Sequence, residues 1–129
     1  MTEVESTLAT TDAAEKTGVA LEVPPNSTIR IEALAVGRQV GGAANDVIWW
    51  NEAAIRRNGV GPPTVKTTGT ARKLPSASPY NVRAAILTVN DPDAGTKYYA
   101  CIFVTGATNH TVHWNTRLEV FGIIEGQVL

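Results

Sequence analysis

A single cysteine, Cys101, is the whole thiol complement of this 129-residue chain. That excludes an internal disulfide framework and a multi-cysteine metal cage, and it fits a chain that folds in a reducing compartment or needs no covalent staple. No stretch approaches the roughly 18 consecutive apolar residues that a membrane-spanning helix requires. The first residues, MTEVESTLATTDAAEK, are acidic and threonine-rich and lack the basic and apolar regions of a secretion signal, so synthesis in a cytoplasm is expected. A formal net charge of −1 gives nucleic acid no electrostatic footprint to follow. A phosphate-cradling glycine loop, a serine nucleophile elbow and a clustered Cys/His pattern are missing as well.

What is present points to strands. The hydrophobic share is 43%, carried mostly by Val, Ile and Ala in short runs that 11 Gly and 7 Pro interrupt. The length suits one domain with a real core and is too short for two ordinary ones. From about residue 19 onward apolar and polar positions alternate with the period of a half-buried strand. VALEV sets Val19, Leu21 and Val23 to one side before Pro24-Pro25-Asn26 ends the run. STIRIEALAVGRQ sets Ile29, Ile31, Ala33 and Ala35 against Arg30, Glu32, Leu34 and Val36. YNVRAAILTVND and KYYACIFVTGA flank NDPDAGTK, whose residues accept turn geometry, and read together as a hairpin. In TVHWNTRLEVFGII, Val112, Trp114, Thr116, Leu118 and Val120 share one face, and His113, Asn115, Arg117 and Glu119 the other.

VIWWNEAAIRRNGVG, residues 47–61, is the ambiguous stretch. Trp50, Ala53, Ala54 and Arg57 fit a helical stripe. The flanking glycines, the Asn58-Gly59 turn signal and the Thr- and Val-rich PTVKTTGTARK beyond it favour a strand and a returning partner. The fold class expected is therefore all-β: a jelly-roll-like antiparallel β-sandwich of about six to eight strands spanning residues 19–129, with residues 1–18 as an extended or flexible N-terminal arm. Residues 1–24 hold five acidic side chains against one basic, and the rest ten basic against seven acidic. Arm and body are thus complementary in sign.

Candidate chemistry is sparse. Glu52 beside Trp49 or Trp50 is the sharpest enzymatic guess, but a glycosidase needs a second carboxylate roughly 5 to 10 Å away across a cleft. The tryptophans fit the core or a subunit interface better, with a carbohydrate-stacking platform as the rival use. His110 and His113, three apart, point to opposite faces of a strand, and Asp91 and Asp93 sit in a turn that lacks the oxygen ligands of a calcium loop. Cys101 in an apolar strand is an inert buried thiol by default. Asn26 and Asn109 begin formal glycosylation triplets that have no secretion signal to give them meaning. Arg56 and Arg57 would face opposite sides, which argues against a joint anion clamp. No catalytic residue, cofactor or metal is expected.

Taken in order, STIRIEALAVGR, DVIWWNEAAIRRNGVG, YNVRAAILTVND and YYACIFVTGATNHTVHWNTRLEVFGI resemble a β-sandwich module of tailed-bacteriophage virion proteins over roughly residues 27–123. The carrying positions are the small-residue-Arg end of the first strand, the Trp-bearing strand ending in basic residues before a Gly turn, and Val104-Thr105-Gly106 followed by Val112, Trp114, Leu118 and Val120. The segment GVGPPTVKTTGTARKLPSASP is longer than the pattern. The resemblance implies a non-enzymatic virion building block, on the capsid exterior as a decoration or cement protein or, alternatively, at a tail tip or fibre binding host glycan through exposed aromatics. The partners implied are the major capsid protein and copies of the chain itself, as a homotrimer at local threefold positions, with neither nucleic acid nor membrane. Small size and an arm on a compact body favour the head, since an arm that orders on assembly adds contacts to neighbouring subunits. The contact residues expected are Glu3, Glu5, Asp12 and Glu15 of the arm and Trp49, Trp50, Arg56 and Arg57 of the body.

Overall fold

The structure, a computed structural model, describes residues 2–42, 45–67, 71–125 and 127–128. Among these no helix forms. Ten strands make two antiparallel sheets: β1 (Thr2–Thr10), β2 (Glu15–Glu22), β3 (Ser27–Gln39), β4 (Asp46–Arg57), β5 (Thr64–Thr67), β6 (Arg72–Leu74), β7 (Asn81–Asp91), β8 (Gly95–Thr105), β9 (Val112–Ile124) and β10 (Gln127–Val128). The large sheet runs β1-β9-β3-β4-β5, with β10 also on β9 and β6 also on β4; the small sheet runs β2-β8-β7. The chain is thus a β-sandwich, with Ile29, Ile31, Ala33, Trp49, Ile55, Ile102, Val104, Trp114 and Leu118 of the two sheets in one buried cluster.

The period-two patterns explain the sheets directly. In β3 the inward set Ile29, Ile31, Ala33 and Ala35 is buried and Arg30 and Val36 are exposed; in β9 all of Val112, Trp114, Thr116, Leu118 and Val120 are buried. The stretch that also fitted a helix is a strand, β4, paired along its length with β3. Its returning partner is broken into β5 and β6, with residues 68–70 outside the described residues. The expected hairpin is β7 and β8. Its turn is closed by Asp91, whose Oδ1 accepts the N–H groups of Asp93 and Ala94, and by Gly95 at φ +81°, a value that L side chains rarely adopt.

The count and the N-terminus differ from expectation. Ten strands are described rather than six to eight, and the extended arm is not confirmed. Thr2–Thr10 pairs with β9 from Thr2 opposite Val120 to Thr10 opposite Val112, and residue 18 falls inside β2. The reason lies in the inward positions of β1, Val4, Ser6, Leu8 and Thr10: only two are apolar, too few to announce a strand, yet Val4 and Leu8 pack on the core and Thr10 is buried. Two polar staples complete the attachment. Thr10 Oγ1 accepts the indole N–H of Trp114 at 2.9 Å. Buried Thr116 donates its hydroxyl to the Ser6 carbonyl at 3.3 Å and accepts the Val19 N–H at 2.8 Å. That second bond falls where the β2–β8 register shifts between Thr17 and Ala20, so a side chain takes up an N–H at the bulge. Gly18 is required there, because a Cβ would lie 2.6 Å from Thr116 Oγ1.

Candidate functional site

Alternation along β4 separates the candidate residues. Trp49 is 4% exposed and belongs to the core, while Trp50 lies half-buried on the outward face, between Leu34 of β3 and Arg72 of β6. Arg57 turns inward and is 3% exposed. Its Nε and Nη2 donate to the carbonyls of Gly61 and Val60, its Nη1 donates to that of Val23, and its guanidinium lies 4.8 Å from the centroid of Tyr98. Together with the bond from Gly59 N–H to Asn26 Oδ1 at 2.7 Å, this fastens the β4–β5 turn to the loop before β3. Arg57 is therefore a structural clamp, and Arg56, exposed, faces away from it.

The β1 and β2 candidates are also placed. Glu3 and Glu5 are exposed on β1, Glu5 opposite Arg117. Asp12 accepts the Ala14 N–H within its own turn. Glu15 receives two bonds from Arg83 of β7, at 2.8 and 2.6 Å, and its carboxyl is held below the ordinary glutamate range chiefly by them.

Continuous register turns the outer face of the large sheet into rows. One row is Glu3, Glu119, Glu32 and Glu52, each opposite the next across β1, β9, β3 and β4. Carboxylates stacked this way repel. Arginines in the adjoining rows offset that: Arg30 reaches Glu52 at 2.7 Å, and Arg117 reaches Glu119 at 3.3 Å and Glu3 at 3.7 Å. On one side of the acidic row Leu34, Val36, Ile48, Trp50 and Leu74 form an apolar band, with Val36, Ile48 and Leu74 each about half exposed; on the other side Phe121 and Ile123 are exposed. Glu52, the sharpest catalytic guess, thus stands on an open sheet face in an ion pair with Arg30. Alternation in the sequence revealed which residues face outward, but the rows depend on strand order, which no local signal carries.

The remaining candidates are scattered. His110 lies with its Nδ1 2.9 Å from the Tyr80 hydroxyl, in a cluster where the Tyr80 ring also meets Trp114 edge-on, whereas His113 is exposed on the outward face of β9. Burial pushes the Tyr80 phenol above its usual range. Cys101 is buried between Ala20 and Ala85 on neighbouring strands, and burial raises its thiol pKa. Asn26 and Asn109 both adopt positive φ, 54° and 64°, the left-handed conformation that asparagine tolerates in turns. Among the described residues no group of three or more His, Cys, Asp and Glu is placed to hold a metal ion.

One interior feature had no sequence signal. Between β4 and β7 the sheets part into a crevice of about 240 Å³, lined mainly by small and aliphatic side chains, among them Ala33, Ala53, Ile55, Val65, Ala84 and Ile86. Fold and surface together define an all-β sandwich with rows of paired charge on the outer face of its large sheet and, between its sheets, a mostly apolar crevice bordered also by Asn51, Glu52 and Cys101. No family model matches the chain, and neither a curated protein nor a solved structure matches it.

Proposed function

We propose that this protein is a non-enzymatic structural component of a tailed-phage virion, a capsid decoration or cement protein that binds the head shell as an oligomer. The observation that supports it best is the outer face of the large sheet, where an exposed apolar band and Phe121-Ile123 alternate with rows of paired charge. Contiguous solvent-facing apolar side chains rimmed by charge mark surfaces that meet other proteins. The resemblance over residues 27–123 supplies the class of partner. In this reading the contact surface is that face, with Trp50, Glu3, Glu5 and Arg56 upon it, rather than a free arm, since Thr2–Thr10 is a strand paired along its length with β9.

Immunogold electron microscopy of intact virions, with antibody raised against the full-length protein, tests the proposal. Gold distributed over the head supports it. Gold confined to the tail tip favours the second use, host-glycan binding, for which the half-buried Trp50 beside Arg72 is the specific observation. Loss of glycan binding on Trp50→Ala, with the fold intact, would then establish that use. Trp49 has no such part, being in the core.

A further inference from the structure

The sandwich has four sheet edges, and three are protected against pairing with another chain. The β1 edge carries Glu3 and Glu5. The opposite edge of the large sheet is broken into β5 and β6, of 4 and 3 residues, bearing Lys66, Arg72 and Lys73 and flanked by Pro62, Pro63 and Pro75. The β2 edge carries Glu15, Lys16 and Glu22 and a register shift between Thr17 and Ala20. Short strands, charge, proline and bulges are the usual means by which an edge is kept from templating a neighbour.

The fourth edge, β7, is long, unbroken and free of bulges, with its two charges near its ends and proline only outside the strand, at Pro79 and Pro92. It runs 11 residues in unbroken register with β8 and ends the small sheet, unpaired on its other side among the described residues. Its charged residues are Arg83, near one end, and Asp91, at the other. Between them lie Ala84, Ala85, Ile86, Leu87, Thr88, Val89 and Asn90, with Leu87 and Val89 each 40% exposed.

We propose that β7 pairs with β7 of a second copy of this chain, antiparallel about a two-fold axis at Leu87. The sequence is self-complementary in that register. Arg83 falls opposite Asp91 of the second copy, and by symmetry Asp91 falls opposite its Arg83. Ala85 meets Val89, and Leu87 meets its own equivalent on the axis. All of these residues are of one parity, so they share the outer face of the small sheet, and Ile86 and Thr88 meet on the inner face. A closed two-fold contact uses the same patch on both partners and leaves no β7 edge for further growth. Alternation fixes this register against slips by one residue, which would set inner-face residues against outer-face ones, while the facing charges add only long-range complementarity because Arg83 is already bonded to Glu15 and Asp91 to the amides of its own turn. The contact is independent of the virion assignment. It builds a pair rather than the threefold assembly expected from the sequence, and a threefold contact, where there is one, has to lie on another surface.

Sedimentation of the purified full-length protein, from micromolar to millimolar concentration, tests the pairing together with hydrogen exchange of the β7 amides. The expected result is a reversible monomer–dimer equilibrium in which those amides gain protection as concentration rises. Leu87→Lys places like charges against each other on the axis and should raise the dimer dissociation constant by about a hundredfold or abolish dimerisation. Because Leu87 is partly exposed, the variant should keep the far-ultraviolet circular dichroism of the parent. Val60→Lys, in the exposed turn between β4 and β5, should leave the equilibrium unchanged. A protein that stays monomeric throughout overturns the proposal, as does an oligomer indifferent to Leu87→Lys.

Discussion

The two flanks of the sandwich are built from different materials. Where β1 and β2 lie against β9, the sheets are held by large side chains and hydroxyl staples: Trp114 and Tyr80 meet edge to face at 6.0 Å, Thr10 caps the indole, and Thr116 bridges to Ser6 and Val19. Where β3 and β4 face β7, the inward positions mix Ala33, Ala53 and Ala84 with Ile55 and Ile86, and the sheets stand apart over the crevice. The sheets differ in width, a five-strand path against three strands. The open flank is left with an unprotected edge.

Replacing the largest member of the closed flank gives the largest effect. Trp114 is buried, and its ring packs against Gly37 so closely that a Cβ at residue 37 would lie 2.7 Å from it. Trp114→Ala is expected to cost about 3–5 kcal/mol, from lost burial and from the void that stays behind. It also removes the indole donor from the buried Thr10 hydroxyl. Urea denaturation monitored by circular dichroism measures the cost, and a loss below about 1 kcal/mol would show that this flank does not hold the sheets together.

Arg57 gives the next effect. Its fork serves three carbonyls from two separate turns, a geometry that the single ammonium of lysine does not reproduce. Arg57→Lys should therefore destabilise by about 1–3 kcal/mol despite conserving the charge, because acceptors near the core go unpaired. Hydrogen exchange should show the loss concentrated in the turn at residues 58–61. A variant of parental stability would mean that water replaces the fork without penalty.

How much of this the sequence announced depends on the range of each interaction. Alternation is local, so β3, β7, β8 and β9 and their two-sided patterns were legible, and so was the opposite orientation of Trp49 and Trp50 once β4 was taken as a strand, but not which of the two is buried. Strand β1 was not, because an edge strand covered on one face needs few apolar residues, and Val4 and Leu8 alone do not make a pattern. Arg57 looked like an interface residue because nothing local says that three carbonyls from residues 23, 60 and 61 converge on it. The glutamate row and the crevice are products of strand order and sheet spacing. They emerge only when Glu3, at the start of the chain, is brought level with Glu119.

Filling the two flanks separates them further. Ala35 is 1% exposed and sits opposite Trp49, so Ala35→Val overpacks a finished region and should cost about 1–3 kcal/mol. Ala53 borders the crevice, where two added methyl groups meet open space. Ala53→Val should be neutral or stabilising by up to about 1 kcal/mol, as added apolar burial and β-propensity act together. Equal penalties at the two sites would mean that the open flank is as tightly packed as the closed one.

The smallest effect tests the strap that joins the two outer strands of the small sheet. Glu15 of β2 and Arg83 of β7 meet across β8, and Arg83 also lies over the Phe103 ring, 4.4 Å from its centroid. Arg83 holds the Glu15 carboxyl lower in the folded protein than in the unfolded chain, chiefly through its hydrogen bonds. As pH falls, the unfolded chain therefore takes up this proton first. The contribution of the pair is complete above the ordinary glutamate range and is lost as pH drops through that range toward the folded-state value. Both side chains are substantially exposed, so the effect is slight and salt-sensitive. Glu15→Gln should flatten the acid limb of the stability profile by slightly lowering stability above pH 6 while leaving it nearly unchanged at pH 3, as measured by thermal melts from pH 3 to 7. An acid limb that keeps its slope in the variant would assign acid sensitivity to other carboxylates. The strap would then add nothing to β7 beyond its ladder to β8.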